Sequence, residues 1–283
     1  MKFSFVLASE FQRLSQRFDH VTLPEGNTYR KNYNIIPGGS AFVITNDNTL
    51  ENLHGLSNGT LKRFSQTQFK KSVKNLQFGL SGVDKKGTIM PIIRAEGDRN
   101  LTNDPNYTGA MSIFLKFPFK RLLRQQRCLV LADAFILNKD DKAFLVYLRN
   151  KNRPFAFAGI WNTVERNGAN ITTFGIMSIA GNQLMRKLGS ERMPVILNPS
   201  MERRWLNNDS DLATVLSLLK PIDVHHMNAY PISPALVQNQ NNVDIVKPIG
   251  STIYQEPNLF VQKRKQKEDR DTGLSGWGES VSK

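Results

Sequence analysis

Cysteine is almost absent from this chain of 283 residues, which contains one cysteine and four histidines. With Cys128 as the single thiol, no disulfide can form within the chain, and nothing indicates an oxidising compartment. This set cannot supply a zinc site with the usual cysteine and histidine spacing. Cys128 lies inside an apolar run, so we interpret it as a packing residue rather than a nucleophile.

Long apolar runs are also missing. No stretch approaches the roughly 18 consecutive apolar residues that a membrane span requires. The apolar patch within residues 1–9 is too short for the core of a signal peptide, and Glu10 and Arg13 follow it. We therefore expect a cytoplasmic protein with no membrane-spanning segment.

The usual catalytic motifs are missing as well. The sequence contains no P-loop, no dinucleotide-binding glycine fingerprint and no serine in a nucleophile-elbow context. The residues by themselves therefore predict no catalytic group, no cofactor and no metal.

Basic residues, in contrast, are in excess. The chain has 38 lysines and arginines against 24 acidic residues, a net charge of +14. Residues 262–283 hold six basic and four acidic side chains, so the remaining +12 belongs to the rest of the chain. Such a charge indicates an anionic partner, nucleic acid first and an anionic membrane surface second.

The composition divides the chain into one domain and a tail. The chain is 40% hydrophobic overall, which is enough for a substantial core, and we assign residues 1–260 to a single domain. Residues 261–283 are polar, charged and poor in large apolar side chains. This composition predicts a disordered tail.

Short strands dominate the middle of the chain. Four segments rich in β-branched and aromatic residues predict an antiparallel meander over residues 128–137, 143–149, 155–161 and 171–179, with a last strand over 224–230. A helix is predicted over 180–188, with Gly189 just past its end, and Ser9, Ser200 and Ser210 are predicted helix caps. The mixture predicts an α+β fold.

Two arginines stand next to apolar segments. Arg94 ends the strand predicted over residues 88–94, and Arg192 lies in a short loop fixed by Pro194. Loops on a rigid scaffold often carry binding groups. The alternative is that both charges are solvated at the ends of core strands, and the residues alone leave both interpretations open.

Two further segments combine basic and aromatic side chains. Residues 46–75 include Phe64 and Phe69 between pairs of basic residues, and residues 114–127 form a basic amphipathic pattern. Such segments can bind single-stranded nucleic acid by stacking and charge. For residues 46–75 the alternative is a solvated insertion whose phenylalanines pin it to the core, and for residues 114–127 it is an ordinary surface helix.

Eight motifs follow one another along the chain: NYNIIPG at 32–38, FGL at 78–80, RAE at 94–96, RCLVLAD at 127–133, FAFAGIW at 155–161, AGN at 180–182, RMPVIL at 192–197 and YPIS at 230–233. Together they resemble the SOS response-associated peptidase (SRAP) family, the abasic-site processing proteins. The resemblance covers roughly residues 3–249. It implies a single α+β domain with a curved, barrel-like antiparallel β-sheet, flanking helices and a positively charged groove for single-stranded DNA.

The resemblance also implies a chemistry that this chain does not match. Family members use a cysteine at position 2, whose amine and thiol condense with the aldehyde of an abasic site, assisted by an asparagine, a glutamate and a histidine. Here these positions carry, in the same order, Lys2, Ile92, Leu137 and Ser190. Two more differences are Ser4 for an arginine and Phe78 for a tryptophan. Aliphatic side chains cannot transfer protons, which argues against the family reaction.

Three hypotheses follow for function. The first is a non-catalytic protein that binds single-stranded, abasic or otherwise damaged DNA through Arg94 and Arg192, which resemble DNA-contacting positions of the family. The second is an enzyme in which the Lys2 amine forms a Schiff base with the abasic aldehyde, although a free lysine amine is mostly protonated at neutral pH. The third is a protein-interaction module in which Ile92 and Leu137 line a drier pocket.

Overall fold

The computed structural model describes residues 2–46, 71–84, 87–109, 111–139, 141–149, 153–237 and 241–255, and these form two β-sheets with short helices packed on them. The strands are β1 Lys2–Leu7, β2 Asn32–Ile35, β3 Ser40–Asn46, β4 Lys71–Phe78, β5 Ile92–Arg94, β6 Arg127–Ala132, β7 Ala134–Lys139, β8 Lys142–Leu148, β9 Phe155–Arg166, β10 Ala169–Ala180, β11 Arg192–Pro194, β12 Ile196–Leu197 and β13 Met227–Ile232. The α-helices are α1 Phe11–Arg17, α2 Phe119–Gln125, α3 Gln183–Lys187, α4 Pro199–Leu206 and α5 Leu212–Ser217.

Strands of the larger sheet close into a ring. β3 lies between β4 and β6, β6 pairs with β9, β9 pairs with β10, and β10 returns to β4. Each strand of the ring therefore has a neighbour on both edges, which leaves no open edge in the barrel. The predicted α+β fold with a barrel-like sheet is confirmed. The ring is antiparallel except where β10 runs parallel to β4, and β10 also runs parallel to β5 outside the ring.

The second sheet has the strand order β13-β8-β7-β1-β2 and joins the barrel at Asp133. β6 ends at Ala132 in the barrel and β7 begins at Ala134 in the second sheet. The Asp133 carboxylate accepts the backbone N–H groups of Ala8 and Ser9, both at 2.7 Å. The single strand predicted over 128–137 is therefore wrong, because this one-residue break transfers the chain from one sheet to the other.

Phenylalanine rings link the two sheets. Phe3 on β1 stacks on Phe135 of β7 with ring centroids 5.8 Å apart, and its edge meets Phe157 of the barrel at 6.2 Å. Side chains alternate between the two faces of a strand. The face of β1 opposite Phe3 therefore carries Lys2 and Ser4, and both line the cavity described below.

A buried arginine holds two helix ends together. Arg127 is 2% exposed, and its guanidinium donates to the carbonyl oxygens of Leu123 and Arg124 in α2 and of Trp205 and Asn207 at the end of α4. The last carbonyls of a helix lack intrahelical donors and carry the negative end of its dipole. Burial lowers the pKa of Arg127 to about 10, so the group stays charged at neutral pH.

The helix after β10 matches the prediction for its position and its end. Asn182 caps α3 by accepting the N–H of Met185, and Gly189 adopts a φ of +77° after the helix. The last predicted strand begins later than expected, because Val224–His226 form a 3₁₀ turn before β13. No helix in the described part of the chain is long and apolar enough to cross a membrane.

Three predicted caps are wrong. Ser9 donates its hydroxyl to Asp133, and α1 begins after Glu10 without a side-chain cap. Asn198 caps α4 in place of Ser200, and Asp211 caps α5 in place of Ser210. In each case the helix begins at a residue close to the predicted serine, and for α4 and α5 a side-chain oxygen of asparagine or aspartate accepts the free N–H.

Two predictions fall wholly or largely on residues outside the described ranges. Most of the basic insertion over 46–75 lies there, because residues 47–70 are not described. The predicted tail over 261–283 also lies there, so the division into residues 1–260 and 261–283 stays a prediction.

Candidate nucleic-acid interface

An open cavity of about 660 Å³ lies against the start of the chain. One side is formed by β1 and β7, where Lys2 pairs directly with Asn138, so that both side chains share one face with Ser4. The facing walls come from residues of the β2–β3 turn, the segment that leads into β5, and the segment before residue 238. The lining is completed by Phe3, Ile36, Pro37, Ile89, Met90, Pro91, Ile92 and Val237.

The four positions at which the chain departs from the family chemistry are not all brought to this cavity. Lys2 and Ile92 line it. Leu137 is 2% exposed and pairs with Phe3, on the face of β7 opposite Asn138. Ser190 is also buried, and its hydroxyl donates to the carbonyl of Arg192 at 2.6 Å. The predicted drier pocket therefore contains Ile92 but not Leu137.

Arg192 forms a buried ion pair. Its two terminal nitrogens donate to the two carboxylate oxygens of Glu96 at 3.1 and 2.8 Å, and the Glu96 side chain is only 2% exposed. The same guanidinium also donates to the carbonyl and the hydroxyl of Ser178 and to the side chain of Asn103. This bidentate geometry links the segment after β5 to β11, and it leaves little of the guanidinium for an outside ligand.

Arg94 forms fewer hydrogen bonds within the protein than Arg192 does. It is half-buried at the end of β5, and one of its terminal nitrogens donates to the carbonyl of Asn100 at 2.6 Å. Residues two apart on a strand share a face, so Arg94 projects on the same side of β5 as Ile92 in the cavity wall. The Arg94 side chain therefore leaves β5 on the face that Ile92 presents to the cavity, although Arg94 is not one of the lining residues.

The end of β10 positions the two arginines. Arg94 pairs with Ser178 on one edge of β10, and Arg192 pairs with Ala180 on the other edge. The backbone N–H of Ala180 also donates to Glu96 at 3.2 Å. Both predicted DNA-contacting arginines thus flank one strand end. In the described residues both terminal nitrogens of Arg192 donate to protein acceptors, whereas one terminal nitrogen of Arg94 does so.

A basic surface with an exposed aromatic ring lies beside this strand end. The N–H of Ile113 donates to the carbonyl of Ala95, and the hydroxyl of Ser112 donates to the carbonyl of Glu96, which fixes the turn Ser112–Leu115 against the residues after β5. Phe117 follows this turn and is 88% exposed. α2 then buries Phe119, Leu122 and Leu123 and exposes Lys120, Arg121 and Arg124.

Sequence reasoning missed three members of this region. Glu96 stood in the RAE motif, but its burial, which makes a paired cation necessary, could not be read from the sequence. Asn138 carried no signal except its position at the end of a strand. Phe117 belonged to the basic amphipathic pattern, but its exposure depends on the turn that precedes α2 and could not be read from spacing.

Comparisons with known proteins agree with this architecture. The model of the SOS response associated peptidase (SRAP) family matches residues 1–239, most of the sequence. The chain belongs to this family.

Two relatives make the relationship more specific. The chain is 31% identical over 248 residues to the abasic site processing protein YoqW of Bacillus subtilis (strain 168), which covers 84% of this chain and 95% of that protein. It is also 31% identical over 239 residues to the abasic site processing protein YobE of the same organism, with 81% and 93% covered.

Solved structures share the fold. A protein from Bacteroides thetaiotaomicron superposes with a TM-score of 0.65 at 20% identity, over 87% of this chain and 99% of that one. A phage-related protein from Bordetella bronchiseptica gives a TM-score of 0.54 at 17% identity, over 81% and 93%. At these identities the likeness concerns the fold alone.

Proposed function

We propose that this protein binds single-stranded DNA, including strands with abasic or other damage, and that it does so without the cysteine-based crosslink of its family. Its relatives are named for abasic site processing, which supports a role in DNA damage. The observation that carries the proposal is that Lys2 lines the open cavity and that Arg94 lies two residues after Ile92 of the cavity wall, on the same face of β5.

The strand would follow a cationic and aromatic surface. Arg94 offers a guanidinium that suits a phosphate in charge and geometry. Phe117 supplies an exposed ring on which a base can stack, and Lys120 and Arg124 are exposed on the following helix. Most of the net positive charge also lies before residue 262, in the part of the chain that contains the proposed interface.

The loss of crosslinking follows from the groups that face the cavity. Position 2 carries an amine in place of a thiol, and the neighbouring wall carries Ile92, which cannot hydrogen-bond to an aldehyde. Leu137 and Ser190 are buried away from the cavity lining. A strand would therefore be held by charge, stacking and apolar contact.

The test compares two arginine variants in a salt titration of single-strand binding. Arg94→Ala should weaken binding roughly eightfold at about 50 mM salt and reduce the slope of log K against log salt by about 0.7, the contribution of one phosphate contact. The matched control is Arg166→Ala, because Arg166 is exposed near the far end of β10, roughly 30 Å along the strand from Arg94. Equal effects of the two substitutions would refute this placement.

Arg192 needs a different variant. Removing its side chain would leave Glu96 buried without a cation, which costs about 3–5 kcal/mol of stability, so loss of binding in Arg192→Ala would report on folding. Arg192→Lys keeps a charge near Glu96 and loses the bidentate geometry. We expect it to bind single strands within about threefold of the unmodified protein if Arg192 acts mainly as the partner of Glu96.

A second candidate function is a Schiff base between Lys2 and an abasic aldehyde, because the Lys2 side chain lines the cavity. Borohydride reduction after incubation with an abasic strand would trap such an adduct. Lys2→Gln is the appropriate variant, since a small residue at position 2 would permit removal of Met1 and expose a new amine. An adduct that persists in Lys2→Gln would exclude Lys2 as the nucleophile.

A further inference from the structure

Three polar side chains converge on one face of the β1–β7 pair. Lys2 and Asn138 are directly opposite each other, and Ser4 follows two residues along β1 on the same face. All three line the cavity, and within the described residues none of them has a side-chain hydrogen bond to another protein group. Ser4 is only 4% exposed, so its hydroxyl is held in a nearly closed part of the cavity.

The opposite walls of the cavity are apolar. Met90, Pro91 and Ile92 form one continuous stretch of wall, and Ile36 and Ile89 at 37% and 60% exposure leave aliphatic surface open to solvent. Ligand sites are typically concave, mostly apolar and a few hundred Å³ in volume, with a small number of converging polar groups. A cavity of about 660 Å³ with one amide, one hydroxyl and one amine fits that description.

This chemistry selects a ligand with an apolar planar body, a polar edge and a nearby negative charge. We propose that the cavity binds an intact, unpaired nucleobase of a single DNA strand, with Asn138 and Ser4 hydrogen-bonding to the edge of the base and Lys2 contacting a neighbouring phosphate. The inference rests on the proposed function, because it names the part of the DNA strand that the cavity binds. An amide can donate and accept at the same time, as the edges of all four bases require.

The proposal has a consequence that separates it from recognition of a missing base. An abasic sugar would leave the aliphatic walls in contact with water, whereas a base would cover them and remove that apolar surface from solvent. A strand with a base at the cavity should therefore bind more tightly than a strand without one.

The experiment uses two strands with the same number of phosphates. One is a nine-residue strand of tetrahydrofuran abasic residues with a fluorescent label, and the other carries a single thymidine at its centre. Because every other base is absent, the strand cannot slide another base into the cavity. Anisotropy at about 50 mM salt should give about five- to tenfold tighter binding for the strand with thymidine.

Two substitutions locate the effect. Ile89→Ala and Asn138→Ala should each bring the preference for thymidine to less than about threefold, while binding of the all-abasic strand stays unchanged. The matched control is Ile249→Ala, because Ile249 is 64% exposed, close to the 60% of Ile89, and does not line the cavity. It should keep the full preference.

The outcomes distinguish this inference from the proposed function. Equal binding of the two strands, or tighter binding of the all-abasic strand, overturns the nucleobase pocket and leaves DNA binding standing. A preference for thymidine that survives both substitutions places the base elsewhere and also overturns it. Failure of both strands, and of an ordinary single strand, to bind at low salt overturns the proposed function and the pocket together.

Discussion

Replacing Arg127 tests whether a buried guanidinium joins the two helix ends. In Arg127→Met the apolar stem remains, but the carbonyls of Leu123, Arg124, Trp205 and Asn207 lose their donor. The two longer of these bonds have nitrogen–oxygen distances of 2.6 and 2.8 Å, as short as or slightly shorter than typical charge-assisted hydrogen bonds. The substitution therefore breaks a buried network rather than a surface contact.

The expected loss of stability in Arg127→Met follows from two opposing effects. Each buried carbonyl left unsatisfied costs about 1–3 kcal/mol, and there are four of them. Water entering between the helix ends and the removal of a buried charge offset part of this cost. The lower end of the cost of four unsatisfied carbonyls is about 4 kcal/mol, and we expect a net loss of about this size. For a domain of this size that corresponds to a melting temperature lower by roughly 10 °C.

The assay is urea unfolding followed by circular dichroism, with thermal melting as a second measurement. Arg127→Lys should fall between Arg127→Met and the unmodified protein, since one ammonium cannot reach both helix ends. Arg124→Met is the matched control, because the Arg124 side chain is exposed on the same helix, and it should change stability by less than about 0.5 kcal/mol. An Arg127→Met protein within about 1 kcal/mol of the unmodified protein would refute this role of Arg127.

Three other predictions follow from the structure. Burial raises the pKa of the Cys128 thiol, so a disulfide reagent should not modify the folded protein and should react in step with unfolding; reaction at a rate independent of urea would contradict this burial. Arg17→Ala removes the cation beside buried Glu202 and should cost about 3 kcal/mol at pH 7. Burial raises the pKa of Glu202 above its value in the unfolded chain, so Glu202 takes up a proton more readily in the folded variant. The loss of stability relative to the unmodified protein should therefore shrink between pH 7 and pH 5. A loss of stability that does not change with pH would argue against this account. Phe117→Ala should weaken single-strand binding at least about fivefold without lowering the melting temperature, and unchanged affinity would exclude base stacking at that ring.

Local signals in the sequence predicted local structure well. The helix before Gly189 was predicted because its apolar spacing and its final glycine lie within about ten residues, but its cap at Asn182 was missed and the helix begins three residues later than predicted. Strand segments were predicted there because turn residues separate the β-branched and aromatic runs. The predicted antiparallel meander is wrong, since β8 and β9 lie in different sheets and β9 pairs with β6, β10 and β12. The family resemblance, which depends on the order of eight motifs, predicted the barrel.

The break at Asp133 could not be predicted from periodicity. The apolar run continues across it, and only the backbone N–H groups of Ala8 and Ser9, more than 120 residues earlier in the chain, explain why an aspartate stands there. The same holds for Arg127, whose acceptors in and just after α4 are Trp205 and Asn207. Long-range hydrogen bonds of this kind leave no periodic pattern in a sequence.

The candidate site was predicted in part. The family resemblance pointed to Lys2 and Ile92, which line the cavity, and to Arg94, which lies on the same face of β5 as Ile92. They could not reveal that Arg192 is paired with Glu96, 96 residues away, because the pairing depends on how β10 brings β5 and β11 together. The DNA-binding role of both arginines stays a prediction.

The most direct test of non-covalent DNA binding by this SRAP protein is a salt reversal on one sample. The protein is mixed with a labelled single strand containing one abasic site at about 50 mM salt, the anisotropy is recorded, and the salt is then raised to about 1 M. We predict a high anisotropy that returns to the value of the free strand. An anisotropy that stays high would reveal a covalent crosslink, and one that never rises would show that the protein does not bind single-stranded DNA.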